Sequence, residues 1–152
     1  MKKTIAIILI VIAALKASAG ESEIIALAQA NGYKPSLRIV RAILGASIKY
    51  KVKAKELTAI AILETGLGKY SKPRLNPNGT IDRGLFQINT VNYSKCVEYN
   101  LDSPEGSALC AAKLLSNIRS HRADYLGAYH SKTPKHKKAY LDRMALVLAK
   151  NN

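Results

Sequence analysis

Alternating apolar and polar runs of the kind that make half-buried strands are nearly absent from this chain, which argues against a sheet-built domain and leaves helical periodicity as the organising pattern. Internal repeats and low-complexity segments are absent as well. Beyond Leu15 no segment is apolar enough to enter a membrane. Histidine is scarce: His121, His130 and His136 make no close metal-binding pattern with the cysteines, and Lys135, Lys137 and Lys138 surround the last of them with repelling charge. Neither a metal nor another cofactor is expected. Acidic side chains are outnumbered, 10 against 24 lysines and arginines, for a formal net charge of +14. Cysteine occurs only as Cys96 and Cys110.

What is present begins with a leader. Met1-Lys2-Lys3 places positive charge ahead of an almost wholly apolar run from Thr4 to Leu15, and Ala17-Ser18-Ala19 follows as a small-residue cleavage site. This is the plan of a secretory signal peptide, with Lys16 its one unusual feature. The run is too short to cross a hydrocarbon core of about 30 Å, which takes about 20 helical residues. Cleavage after Ala19 is the expectation, and retention as an anchor is the alternative. The division is then 1–19 signal peptide and 20–152 a single domain, periplasmic or secreted, with no permanent membrane span once the leader is gone. In such a compartment Cys96 and Cys110 are expected to form one disulfide, against the alternative of two buried free thiols. Loss of Lys2, Lys3 and Lys16 from the 24 basic residues leaves 21 against 10 acidic ones, a net of +11 that attracts polyanions. Nucleic acid is not the expected partner, because an exported chain meets it only outside the cytoplasm and no stacking aromatics are interleaved with the lysines. Anions of the cell envelope fit better.

Helical signals run through the rest. Ser22 to Ala30 reads as a short helix closed by Asn31-Gly32. Ser36 caps a second one through about Tyr50, with Leu37, Val40, Ile43, Leu44 and Ile48 on a shared face. A third, from about Ala54 to Thr65 and ended by Gly66 and Gly68, is apolar nearly all round and belongs deep in the core. Residues 66–82 have loop composition, and a short helical stretch is expected from about Gly84. Ser103-Pro104-Glu105 opens a helix reaching about Arg119, and two more are expected over Ala123 to Tyr129 and Lys135 to Lys150.

Glu64 directly follows Ile60-Ala61-Ile62-Leu63 at the end of the third helix. A carboxyl that loses water has its charged form disfavoured and can hold a proton near neutral pH, as a general acid must. A helix-end Glu can equally turn to solvent or pair with a lysine. The downstream run Asn78-Gly79-Thr80-Ile81-Asp82-Arg83-Gly84-Leu85-Phe86-Gln87-Ile88-Asn89 favours chemistry, because it supplies a second carboxylate, turn glycines and carboxamides.

Ala61-Ile62-Leu63-Glu64-Thr65, Asn78-Gly79-Thr80 and Gly84 to Asn89 together resemble the lytic transglycosylases of the soluble-transglycosylase (SLT) family. Gly127-Ala128-Tyr129-His130-Ser131, with Thr133-Pro134 and then Tyr140, resembles that family's late Ala-Tyr element and the tyrosine after it. The motifs span roughly Leu57 to Met144, in the style of the small members that accompany secretion, pilus or conjugation machines. The resemblance implies an all-α, lysozyme-like, single compact domain, expected as a monomer, with its cleft between the Glu64 helix and Gly84 to Asn89. It implies peptidoglycan glycan strands as substrate. Glu64 would protonate the bond between N-acetylmuramic acid and N-acetylglucosamine, then accept the proton of the muramoyl 6-hydroxyl as a 1,6-anhydro ring closes. Asn78, Thr80, Gln87, Asn89, Tyr129, His130 and Tyr140 are implied as the substrate-binding set, although Asn89 stands where many relatives have Met. Packing is the alternative for both tyrosines.

The same segment also resembles animal-type lysozyme, and there Asp82 falls on the second catalytic carboxylate of a retaining hydrolase. Tyr129-His130-Ser131 and Thr133-Pro134 belong to the transglycosylase pattern, and lysozyme's larger disulfide set is missing. Asp82 is therefore expected in a structural or electrostatic role, paired with Arg83 or a neighbouring lysine. A catalytically idle peptidoglycan-binding assembly factor is the reading of a different class. The basic cluster from Lys132 to Lys138 reads as a solvated face or as a contact for an anionic envelope polymer.

Overall fold

The computed structural model describes residues 2–131 and 133–150. Met1 of the leader, Lys132 of the basic cluster and residues 151–152 lie outside the described residues, as do the side chains of 2–4 and 6–11 in the apolar run. In chain order the elements are α1 (Lys2–Ala30), α2 (Leu37–Tyr50), α3 (Ala54–Thr65), β1 (Arg74–Leu75), β2 (Ile81–Arg83) and β3 (Ile88–Asn89). A 3-10 helix (Thr90–Lys95), α4 (Pro104–Arg119), α5 (Tyr125–His130) and α6 (Pro134–Ala149) follow.

Helix α3 forms where the composition predicts it and for the expected reasons. Its alanines and leucine are good helix formers, Glu56 complements the dipole in the first turn, and Gly66 ends it with a φ of 57° that only glycine adopts at little cost. Leu57, Thr58, Ile60 and Thr65 are all buried, so helices pack around it on most sides. Each buried threonine finds a carbonyl. Thr58 donates to Ala54 O at 2.9 Å, and Thr65 donates to Leu85 O at 2.8 Å, tying the end of α3 to the segment that follows the sheet's second strand.

Helices α2 and α4 start on their predicted caps. Ser36 accepts from Ile39 N at 3.3 Å, and Ser103 accepts from Gly106 N at 3.0 Å with Pro104 in the first turn. The buried stripe of α2 matches the predicted one in part: Val40 and Ile43 are buried as expected, but Leu37 and Ile48 are 56% and 66% exposed, and Ala42 and Ala46 complete the buried face. Helix α2 touches α1, α3 and α4, and its alanines permit the close approach that larger side chains would block. Helix α1 is longer than predicted, because leader and Ser22–Ala30 form one continuous element. Its later part packs: a side chain at Gly20 would lie 2.6 Å from Leu44, and Ile24, Leu27 and Ala28 are buried, whereas Ile12 and Leu15 are exposed. Among the described residues no helix is long and apolar enough to cross a membrane.

The sequence-based reading of residues 66–89 is corrected twice. The predicted loop contains β1 and β2, and the helix expected from Gly84 is a turn followed by β3. Positive φ at Gly84 (74°) and Gln87 (46°) interrupts any helix there. The strands form a small antiparallel sheet in the order β1-β2-β3, with Arg74 opposite Asp82 and Asp82 opposite Asn89. Gly84 also has no room for a side chain, since a Cβ there would sit 2.0 Å from Leu101 O. Cys96, just past the 3-10 helix, forms the expected disulfide with Cys110 of α4.

Candidate active site

A groove of about 940 Å3 runs between the end of α3, the sheet and α5. Glu64 reaches it from α3, Asp82 and Asn89 from the sheet, and Tyr129 and His130 from α5. Asn78, Thr80 and Gln87 also line it, so every predicted site residue except Tyr140 meets there. Tyr140 is buried in α6 and does not line the groove, but its hydroxyl lies next to Glu64, so it backs the carboxyl from behind the wall.

The two carboxylates of the groove differ in their surroundings. Glu64 keeps 13% of its side-chain surface, and among the described residues its one ion-pair neighbour is His130, whose Nδ1 lies 3.4 Å from Oε1. Aromatic rings close in around it. Tyr129 donates to Phe86 O at 3.3 Å, and burial of that hydroxyl, with the charges of Glu64 and Asp82, holds the phenol well above its ordinary range. The Tyr140 hydroxyl is buried without a well-formed hydrogen bond among the described residues, and burial, then the charge of Glu64, raises it likewise. His130 stacks on Tyr140 with ring centroids 4.2 Å apart and planes 8° from parallel.

Asp82 is caged. Arg74 donates to Oδ2 at 2.8 Å, Asn76 to Oδ2 at 3.0 Å and Asn89 to Oδ1 at 2.7 Å. Desolvation is the largest single influence and pushes its pKa up, but the three donors and the guanidinium charge together outweigh it and hold Asp82 below the usual carboxylate range. Arg83, the predicted partner, is not the partner. Adjacent residues of a strand point to opposite faces, and Arg83 pairs with Asp102 instead. Arg74 and Asn76 escaped the sequence analysis, although Asn78-Gly79 was the available signal for a hairpin that brings Arg74 opposite Asp82.

Among the polar candidates, Thr80 and Asn89 are committed within this network. Thr80 accepts from Asn76 and Asn89 and donates to Asn78, while Asn89 Oδ1 caps the 3-10 helix through Val91 N at 3.1 Å. Gln87 donates to Gly84 O at 3.0 Å, and its Oε1 is uncommitted among the described residues.

Residues 41–146 match the family described as the transglycosylase SLT domain. The chain belongs to that family. Neither the curated proteins nor the solved structures returned a match. The family's activity is lytic transglycosylation of peptidoglycan, and its lysozyme-like, all-α fold is the one observed here. The matched span takes in α3, the sheet, α4, α5 and most of α6, and therefore the whole groove.

Within the SLT domain a second carboxylate of α3 ties that helix to α5. Glu56 is buried, accepts from the Tyr125 hydroxyl at 2.8 Å, and has Lys53 at 3.6 Å. Burial and then Glu56 push that phenol up to about 12. Tyr125 begins α5 and His130 ends it, so both ends of α5 face carboxylates of α3. Tyr125→Phe removes the donor from a buried acceptor and is expected to destabilise the fold by about 2 kcal/mol. Urea unfolding of the two proteins measures it.

Proposed function

We propose that this SLT domain is an exported lytic transglycosylase that cuts the β-1,4 bond between N-acetylmuramic acid and N-acetylglucosamine, with Glu64 as acid and then base. The observation that carries the reading is the unequal hydrogen bonding of the groove carboxylates: three side-chain donors converge on Asp82, whereas Glu64 has no well-formed side-chain hydrogen bond among the described residues, with His130 and the Tyr140 hydroxyl standing beside it.

Protonated Glu64 gives its proton to the bridging oxygen as the glycosidic bond breaks, and the N-acetylglucosamine part leaves with a hydroxyl. The resulting carboxylate takes the proton of the muramoyl 6-hydroxyl, whose oxygen closes on C1 to form the 1,6-anhydro ring. Glu64 ends as it began, and no water is consumed. The tethered hydroxyl has an effective molarity that external water lacks. A retaining hydrolase would instead need Asp82 as nucleophile, and three of its roughly four acceptor sites are taken by Arg74, Asn76 and Asn89. Gln87 and Asn78 offer amide groups for the sugar's acetamido and hydroxyl groups, and Tyr129 walls the same groove.

Packing of α1 supports export with removal of residues 1–19, since among its described side chains the buried ones begin at Ile24. The working site is then the periplasm or the cell exterior, and the net positive charge suits an anionic wall polymer. The protein is proposed to act as a monomer in the service of an envelope-spanning secretion, pilus or conjugation machine, a reading that rests on the style of the motifs between Leu57 and Met144.

Mass spectrometry of fragments released from purified sacculi tests the reaction. Muropeptides with 1,6-anhydro ends are expected; reducing ends in their place would transfer the activity to hydrolysis.

A further inference from the structure

We infer that His130 is a positioning residue for Glu64: its ring, held flat on Tyr140, presents Nδ1–H to the carboxylate and steadies the charge left there after the first proton transfer. The inference rests on the acid-then-base reading of Glu64 given above.

Three contacts define the orientation of the imidazole. Its face lies on Tyr140 at 4.2 Å and 8°, and Tyr140 is fully buried in α6, so the ring plane is set by a side chain with no room to turn. Its edge meets Glu64 Oε1 at 3.4 Å. Its helix is fixed at the other end by the buried Tyr125 to Glu56 hydrogen bond at 2.8 Å. One face is therefore occupied by tyrosine and one edge by the carboxylate, and the rest of the ring is open to the groove.

The 3.4 Å separation is longer than a formed hydrogen bond. Catalytic contacts are often long in the resting enzyme and shorten once substrate is bound. Shortening matters most in the interval when Glu64 has lost its proton and has not yet taken the one from the 6-hydroxyl. A donor already aimed at the developing negative charge needs no reorganisation at that moment. His130 itself neither gains nor loses a proton over the cycle, so the balance of the reaction is unchanged.

The test uses steady-state kinetics on soluble glycan chains with wild type, His130→Phe and His130→Asn. Phenylalanine keeps the stack on Tyr140 and removes the donor; asparagine restores an N–H near the position of Nδ1. His130→Phe is expected to keep the wild-type melting temperature and KM while kcat falls by about 100-fold, the loss typical of one preorganised donor. His130→Asn should recover most of that kcat. Unchanged kcat in His130→Phe, or a loss confined to KM, overturns the positioning role while leaving 1,6-anhydro products and the Glu64 reading intact. Reducing ends from the wild-type protein would overturn both.

Discussion

Purified Glu64→Gln protein is expected to bind sacculi as wild type does and to release almost nothing from them. Glutamine matches the shape of glutamate and keeps a carbonyl toward His130, so the groove is preserved. It can neither give a proton to the bridging oxygen nor take one from the 6-hydroxyl. A positioned acid or base contributes about 10²–10⁴-fold to rate, and here one carboxyl serves in both capacities, which puts the loss at or above the upper end. Stability should change by less than about 0.5 kcal/mol, because Glu64 lines the groove and among the described residues makes no well-formed hydrogen bond that holds two elements together. Soluble muropeptide release, normalised to bound protein, is the measurement. Equal release by variant and wild type would leave the chain as a wall-binding assembly factor.

The second large effect is on stability. Asp82→Ala is expected to cost about 3 kcal/mol, since Arg74, Asn76 and Asn89 all lose the acceptor they converge on and two of them are partly buried. Arg74 is 64% exposed and can turn to water, which keeps the figure below that for a fully buried pair. The pH dependence has a definite sign. The folded-state pKa of Asp82 lies below its ordinary value of 3.8, so its contribution is present above that value and lost as pH falls through the folded pKa. The gap between the urea midpoints of wild type and Asp82→Ala should therefore be full at neutral pH and close in acid below the ordinary carboxylate range. Asp82→Asn, measured per folded molecule, should retain substantial transglycosylase activity. Complete loss in a protein that still unfolds cooperatively would make Asp82 a reacting group.

The long helices were legible because local rules and burial agree there. Ala54 to Thr65 is helix-forming, apolar and closed by glycine, and the predicted and observed bounds coincide. Ser103-Pro104 likewise marked the start of α4. The sheet was not legible for the opposite reason: its strands are two or three residues long, too short for alternation to register, and they are held by the Asp82 cage more than by a pattern. The stripe of α2 was right at Val40 and Ile43 and wrong at Leu37 and Ile48, because large apolar side chains were weighted over alanines, whose use depends on neighbours that a single helix does not reveal. At the site, the motif residues were identified from the chain, but their partners were not. Arg74 reaches Asp82 through strand register, and His130 reaches Glu64 through the docking of α5 on α3, both of which are tertiary facts.

The bond between Cys96 and Cys110 leaves one wall of the groove dependent on thiol chemistry. Val91, Asn92 and Lys95 line that wall from the 3-10 helix, and the covalent link anchors their segment to α4. A loop of this length contributes about 3 kcal/mol when closed by a bridge. Material recovered from a reducing cytosol therefore lacks that brace, whereas material matured in an oxidising space has it. Preparations of one gene product made by these two routes should differ in specific activity, and a reductant in the assay buffer would turn the better catalyst into the poorer one.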